Sequence, residues 1–188
     1  MIRSTKRDRR IERTRQAILG AFRDLVLTRG YDAISVRDIV EAAGVGRSTF
    51  YEHFDDKDDL FRASLHPLLT VLAEAIGDGH DLERLQMVIA HFGQNRRLAR
   101  VMLAGSARRL MSRFLAEELE SRLADAAGGA HGSKPLIPLN LVAAHLAEAQ
   151  LGLIESWMLA KNPCASETLA HALSVSTRAS ALALLAAK

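Results

Sequence analysis

Arg47, Ser48, Thr49, Tyr51 and His53 crowd one short stretch of the chain. All of them can donate hydrogen bonds, so together they offer chemistry for phosphate oxygens and base edges, and backbone N–H groups at a helix start add anion affinity. Phe50 and Phe54 are four residues apart and share the opposite face of a helix over Arg47–Phe54, where they can pack inward together. The element before it must set this helix at a fixed angle. Ser35 can cap a helix whose third position is Asp38, with Ile34 packing on Ile39 as a hydrophobic staple. Val36, Ile39, Val40 and Ala43 then follow helical spacing, and Gly44 supplies the left-handed residue that ends the helix. Val45, apolar in mid-turn, seals the angle between two helices, as a helix-turn-helix requires. A merely polar surface helix is the plain alternative, and the capped helix and glycine turn ahead of it favour a recognition helix.

The run GYDAISVRDIVEAAGVGRSTFYEHFDDKDDL, Gly30 to Leu60, resembles the N-terminal DNA-binding domain of the tetracycline repressor (TetR) family of transcriptional regulators. The resemblance rests on Gly30 and Tyr31 after a first helix, the AAGV turn, the FYEHF pattern, and a lysine followed by acids and Leu60. Beyond Leu60 only the helical plan and a late Trp-containing helix pair look familiar. The resemblance implies an all-α chain of about nine helices, with a helix-turn-helix domain over residues 1–60 and a regulatory and dimerisation domain over residues 61–188. It further implies a homodimer that binds a pseudo-palindromic double-stranded DNA operator, represses transcription and answers to a small-molecule effector. The DNA-contacting set is then Arg37, Gly46, Arg47, Ser48, Thr49, Tyr51, His53 and Lys57, the last reaching a phosphate. The rival reading is a helical ligand- or partner-binding protein whose DNA contact is lost or incidental.

Composition agrees without deciding. The net charge is only +3 and 48% of residues are hydrophobic, so the chain can build a packed core and is no polycation. Charge is concentrated at the start, where residues 1–54 hold 11 Lys and Arg against 7 Asp and Glu. Met1–Arg10 reads as a flexible basic arm. It is either a solvated tail or, through Arg3, Lys6 and Arg7, a phosphate-tracking or minor-groove contact. A first helix follows over Ile11–Arg29, with Ile18, Phe22, Leu25 and Val26 in its apolar stripe. The single cysteine, Cys164, excludes an intrachain disulfide, and a basic N-terminus without an apolar run carries no secretory signal. With no stretch of spanning length, the expected compartment is the cytoplasm, away from membranes.

Five ionisable residues, Asp55 to Asp59, suit a helix cap and its dipole better than a metal site. That helix is expected to reach Ile76 with a kink or break near His66, because Pro67 lacks an N–H. After a turn at Gly77–His80, helices are expected from Asp81 to Phe92, Arg96 to Ala104 and Gly105 to Ala127. Arg96, Arg97, Arg100, Arg108, Arg109 and Arg113 read as a solvated face or, more sharply, as a site for an acidic effector. Gly128–Pro138 is a loop by its glycine and proline content. Two apolar helices, Leu139–Ala160 and Ser166–Ala186, close the chain as a hairpin. Their apolar surplus argues for a second buried face, a dimer interface through Leu146, Leu153, Leu169, Leu173, Ser176 and Leu182. Met87, Phe92, Met102, Met111, Phe114 and Trp157 would suit an effector cavity and a dry core equally. No phosphate-binding glycine loop, metal-ligand spacing or nucleophile triad appears, so neither enzyme activity nor a cofactor is expected. Cys164 reads as a plain loop thiol, with a redox sensor as the alternative.

Overall fold

The computed structural model describes residues 2–77, 81–129, 135–161 and 163–185, with side chains from Asp8 onward except at 127–129. Every regular element among them is an α-helix: α1 (Ile2–Arg29), α2 (Val36–Ala43), α3 (Arg47–Tyr51), α4 (Lys57–Glu74), α5 (Leu82–Gln94), α6 (Arg96–Met102), α7 (Gly105–Gly129), α8 (Leu139–Leu159) and α9 (Ser166–Leu185). None of these helices is long and apolar enough to cross a membrane.

α1 departs from the flexible arm expected over Met1–Arg10. It begins at Ile2 and runs unbroken to Arg29. No glycine or proline interrupts its first turns, and Arg, Lys, Glu and Gln are strong helix formers. Local bonds support it: Gln16 Nε2 donates to Glu12 at 2.8 Å, and Thr14 Oγ1 to the Arg10 carbonyl at 3.0 Å. The side chains of Arg3, Lys6 and Arg7 lie outside the described residues. α4 is not broken near His66, since Pro67 sits inside a continuous helix. The lost N–H leaves one gap in the ladder, while buried Leu65 and Leu69 hold the helix to the core on either side.

The head is α1 to α3, packed through Ile18, Phe22, Val26, Ile39, Val40 and Phe50, all buried. α4 leads from the head into the body, where α7 packs along α8, α5 along α9, and α4 against α7. Gln150, buried in α8, ties three helices together. Its Nε2 donates to the Leu72 carbonyl of α4 and to Thr177 Oγ1 of α9, each at 3.1 Å.

Leu146, Leu169 and Leu173 are buried within the protomer, 1%, 3% and 1% exposed, and cannot form a dimer face. Leu153, Ser176 and Leu182 do lie on the surface. The arginine series is not uniformly solvated: Arg108 is only 16% exposed in its side chain and pairs with Glu148 at 2.8 Å. Arg108 and Ser112 hold the Glu148 carboxyl below the usual carboxylate range. The loop expected over Gly128–Pro138 gives up Gly128 and Gly129 to α7; residues 130–134, like 78–80 of the expected Gly77–His80 turn, lie outside the described residues.

Candidate nucleic-acid interface

The turn that presents α3 is fixed by local chemistry at both ends of α2. Ser35 and Asp38 form a reciprocal capping box, with Ser35 N–H donating to Asp38 Oδ2 at 2.8 Å and Asp38 N–H to Ser35 Oγ at 3.3 Å. Arg29 Nη1 reaches the same carboxylate at 3.0 Å, which fastens the end of α1 to the start of α2. Bonds from Ser35, with Arg29 second, hold the Asp38 carboxyl below its usual range. At the other end Gly44 adopts φ 65°, ψ 32°, the left-handed conformation that a side chain would oppose. The next amide, of Val45, donates back to the Val40 carbonyl at 3.1 Å.

α3 is shorter than the expected Arg47–Phe54, with five residues ending at Tyr51. Its sorting of faces is nonetheless the one expected. Phe50 and Phe54 are buried with ring centroids 5.8 Å apart, and the Arg15 guanidinium of α1 lies 4.8 Å above the Phe54 ring. Gly46, Arg47 and Ser48 are exposed, Tyr51 is 47% exposed, and the Arg47 guanidinium lies 5.8 Å from the Tyr51 ring centroid. Thr49 and His53 are half-buried. Arg37 on α2 is exposed and pairs with Glu41 at 2.8 Å, so its charge is partly answered within its own helix.

Lys57 is placed differently from the phosphate contact that the resemblance implies. Its ammonium turns into the protein, donating to the carbonyls of Tyr31 at 3.0 Å and Ile34 at 2.9 Å, 4.1 Å from the centroid of the Tyr31 ring. The Tyr31 hydroxyl donates to Asp58. Burial, and then that carboxylate, push the hydroxyl well above its ordinary range, so it stays protonated. Asp58 in turn faces Arg113 of α7 at 3.8 Å. One residue on, Asp32 accepts from the backbone N–H of Ser106 at 3.5 Å and from its hydroxyl, capping the first turn of α7 and lowering the Asp32 carboxyl below its usual range. These links between the 31–34 turn and α7 escaped the sequence reading. Asp58 read as one of the acids that suit a helix start, Asp32 carried no reading, and nothing local announces a partner on a distant helix.

A cleft of about 820 Å³ lies between α1 and α4 to α6, with Met111 of α7 at its edge. Met87, Phe92, Met102 and Met111 border it, but Phe92 and Met111 are themselves buried in the core, 4% and 0% exposed. Phe114 and Trp157 do not border it. Phe114 is buried against Phe61, ring centroids 6.3 Å apart, beneath the Arg62 guanidinium at 4.1 Å. Trp157 donates through Nε1 to the Cys164 carbonyl at 2.8 Å, and its ring would meet a Cβ at Gly93 at 2.9 Å. Both are core residues here.

A capped helix, a left-handed glycine turn and a short second helix with its aromatic face buried and its polar face exposed define a helix-turn-helix DNA-binding protein. Residues 18–64 match the family model of bacterial regulatory proteins of the tetR family. The transcriptional repressor AcnR of Corynebacterium diphtheriae is 31% identical over 77 residues, 41% of this chain and 40% of that protein. A TetR transcriptional regulator from Streptococcus agalactiae superposes with a TM-score of 0.58 at 25% identity, over 93% of this chain and 98% of the other. A TetR-family regulator from Streptomyces coelicolor gives 0.62 at 24% identity, over 90% and 95%. Matches to curated relatives span far less, 16%, 22% and 40% of the length of the first three. Residues 18–64 thus carry the DNA-binding domain of tetR-family regulators, and the helical plan of the rest of the chain is similar to that of TetR-family structures.

Proposed function

We propose that this chain is a dimeric regulator of transcription acting in the cytoplasm, with α3 of each protomer in the major groove of a pseudo-palindromic operator. The observation that carries the reading is the division of α3 and the turn after it, with Phe50 and Phe54 buried while Arg47, Ser48 and Tyr51 face outward from a capped turn. In two protomers related by a two-fold axis, the two helices would meet grooves about one helical turn, roughly 34 Å, apart. Arg37, Thr49 and His53 stand near enough in sequence to add flanking contacts. Arg3, Lys6 and Arg7 would extend α1 toward phosphates.

The dimer is supported by α8 and α9. Once the protomer core is complete they still carry exposed Leu141, Leu153, Val175 and Leu182, beside exposed Ala172, Ser176, Ala179 and Ala183. Small residues let helices approach closely, and a self-complementary apolar face suits a two-fold four-helix bundle. Repression follows from occupying an operator. Relief would come from a small molecule that favours a state whose head spacing no longer fits the DNA. The test is selection of binding sites from genomic DNA with the purified full chain, followed by gel shift at moderate salt. Enrichment of a short inverted repeat is the expected result. Binding to all fragments alike, or to none, would overturn the reading.

A further inference from the structure

The cleft between α1 and α4 to α6 has walls of one electrostatic character. Its floor is apolar, formed by Leu19, Phe22, Val26 and Leu68 with Phe92 and Met102. The polar groups are Arg15, Arg23, Arg84, His66, His91, Gln16, Ser64 and Asn95, and among the described residues no carboxylate lines it. Glu74 pairs with Arg84 at 3.0 Å, Asp24 lies 3.9 Å from Arg23 and Glu118 lies 3.6 Å from His66, but all three acids stand outside the lining. Arg23 and Arg84 keep side chains 67% and 46% exposed, so their guanidinium groups can turn to an incoming anion without a large desolvation cost.

Gly20 supplies an independent observation. It lies in the interior of α1, where glycine is the poorest helix former after proline, and no turn or positive φ calls for it. A Cβ there would meet nothing within 4 Å among the described residues, so close packing there does not explain it either. Gly20 lines the cleft, and its missing side chain keeps the α1 wall open.

We infer that this cleft binds a small amphipathic carboxylate, its apolar body on the Leu19–Phe22–Phe92–Met102 floor and its anionic head at the Arg23 and Arg84 rim. The volume falls in the range of small-molecule sites, and apolar walls with a few orienting polar groups are the usual build of such sites. Because α1 belongs to the head and α4 to α6 to the body, the occupant would touch both. That regulatory consequence rests on the effector reading above; binding itself does not.

Calorimetric titration of the full chain, without DNA, compares decanoate, decanol and decylamine below their micelle-forming concentrations. Decanoate is expected to bind at least about tenfold more tightly than the alcohol, the scale of one charge-assisted hydrogen bond, with the amine weakest. Gly20→Leu fills the cleft from a helix position that favours leucine, and should weaken decanoate by about tenfold or more with helix content unchanged. Arg23→Gln with Arg84→Gln should bring decanoate down to the level of decanol while leaving decanol as it was. Equal binding of alcohol or amine, an affinity unmoved by the arginine pair, or no decanoate binding at all would each overturn the inference. A folded Gly20→Leu protein that binds decanoate undiminished would do the same. Since no arm uses DNA, failure here is distinct from failure to find an operator.

Discussion

Replacing Lys57 with Met keeps the aliphatic stem and removes the ammonium that holds the 31–34 turn. Two charged hydrogen bonds, at 3.0 Å and 2.9 Å, and the stacking on Tyr31 are lost together. Hydrogen bonds to charged groups contribute about 1.5–3 kcal/mol each and a cation over an aromatic face about 0.5–1. Lys57 is half-buried, so the low ends apply, and water can reach part of the freed carbonyls. The expected net loss is about 2–4 kcal/mol, a large share of the stability of a small domain. Trp157, the only tryptophan, sits in α8 and would not report on the head. Amide exchange across residues 31–60 is therefore the measurement, with faster exchange there expected in the variant. Operator affinity should fall for all sequences alike, because the turn ahead of the Ser35 cap loses its anchor. The slope of log affinity against log salt separates this from a phosphate contact, whose loss lowers the slope by about 0.9. Unchanged exchange together with a slope lowered by that amount would refute the inward role and restore the phosphate contact.

Leu153→Glu with Leu182→Glu should give a folded monomer by sedimentation, since both positions are surface, whereas Leu173→Glu buries an unpaired charge at several kcal/mol and should unfold the protomer by circular dichroism. Arg47→Ala should relax preference at particular base pairs by about 1–3 kcal/mol across a panel of operator variants, while Tyr51→Phe weakens all variants alike. The Asp38 carboxyl is held below its ordinary value, so its contribution is fully present above the unfolded value of about 3.9 and is lost as pH falls through the lower folded value. Thermal midpoints of Asp38→Asn should accordingly fall less than wild type on acidification below about pH 5, with the two parallel above it.

The parts of the head that could be read from sequence are those whose causes are local. Ser35 with Asp38, Gly44, and the Phe50/Phe54 spacing each act within four residues, and each appears in the structure as read. Lys57 could not be read this way. Its partners are two backbone carbonyls more than twenty residues earlier, and a lysine beside four aspartates gives no sign of preferring them. Arg108, read as part of a solvated face, escaped for the same reason, and so did the role of Asp32, each answering to a group on another helix.

α8 and α9 show a different limit, one of symmetry. Both helices are apolar on more than one face, so periodicity finds the surplus without saying which leucines face the protomer. The assignment is made by Gln150. Its amide nitrogen donates two bonds, to α4 and to Thr177 of α9, that turn one face of α8 inward, while its Oε1 is buried without a partner among the described residues. Leu146 and Ile154, four residues to either side of it, are buried with it, and Leu151 widens the stripe on one flank; Leu153, on the other flank and about 160° round the helix from Leu151, is left outside. On α9, Thr177 fixes the matching choice, drawing Leu173 and Ala181 inward at four-residue spacing and leaving Val175, Ala179 and Leu182 out. The polar pair thus selects which apolar stripe completes the protomer and which remains for a second copy. Replacing Gln150 and Thr177 by Leu and Val would keep the apolar content while removing that selection.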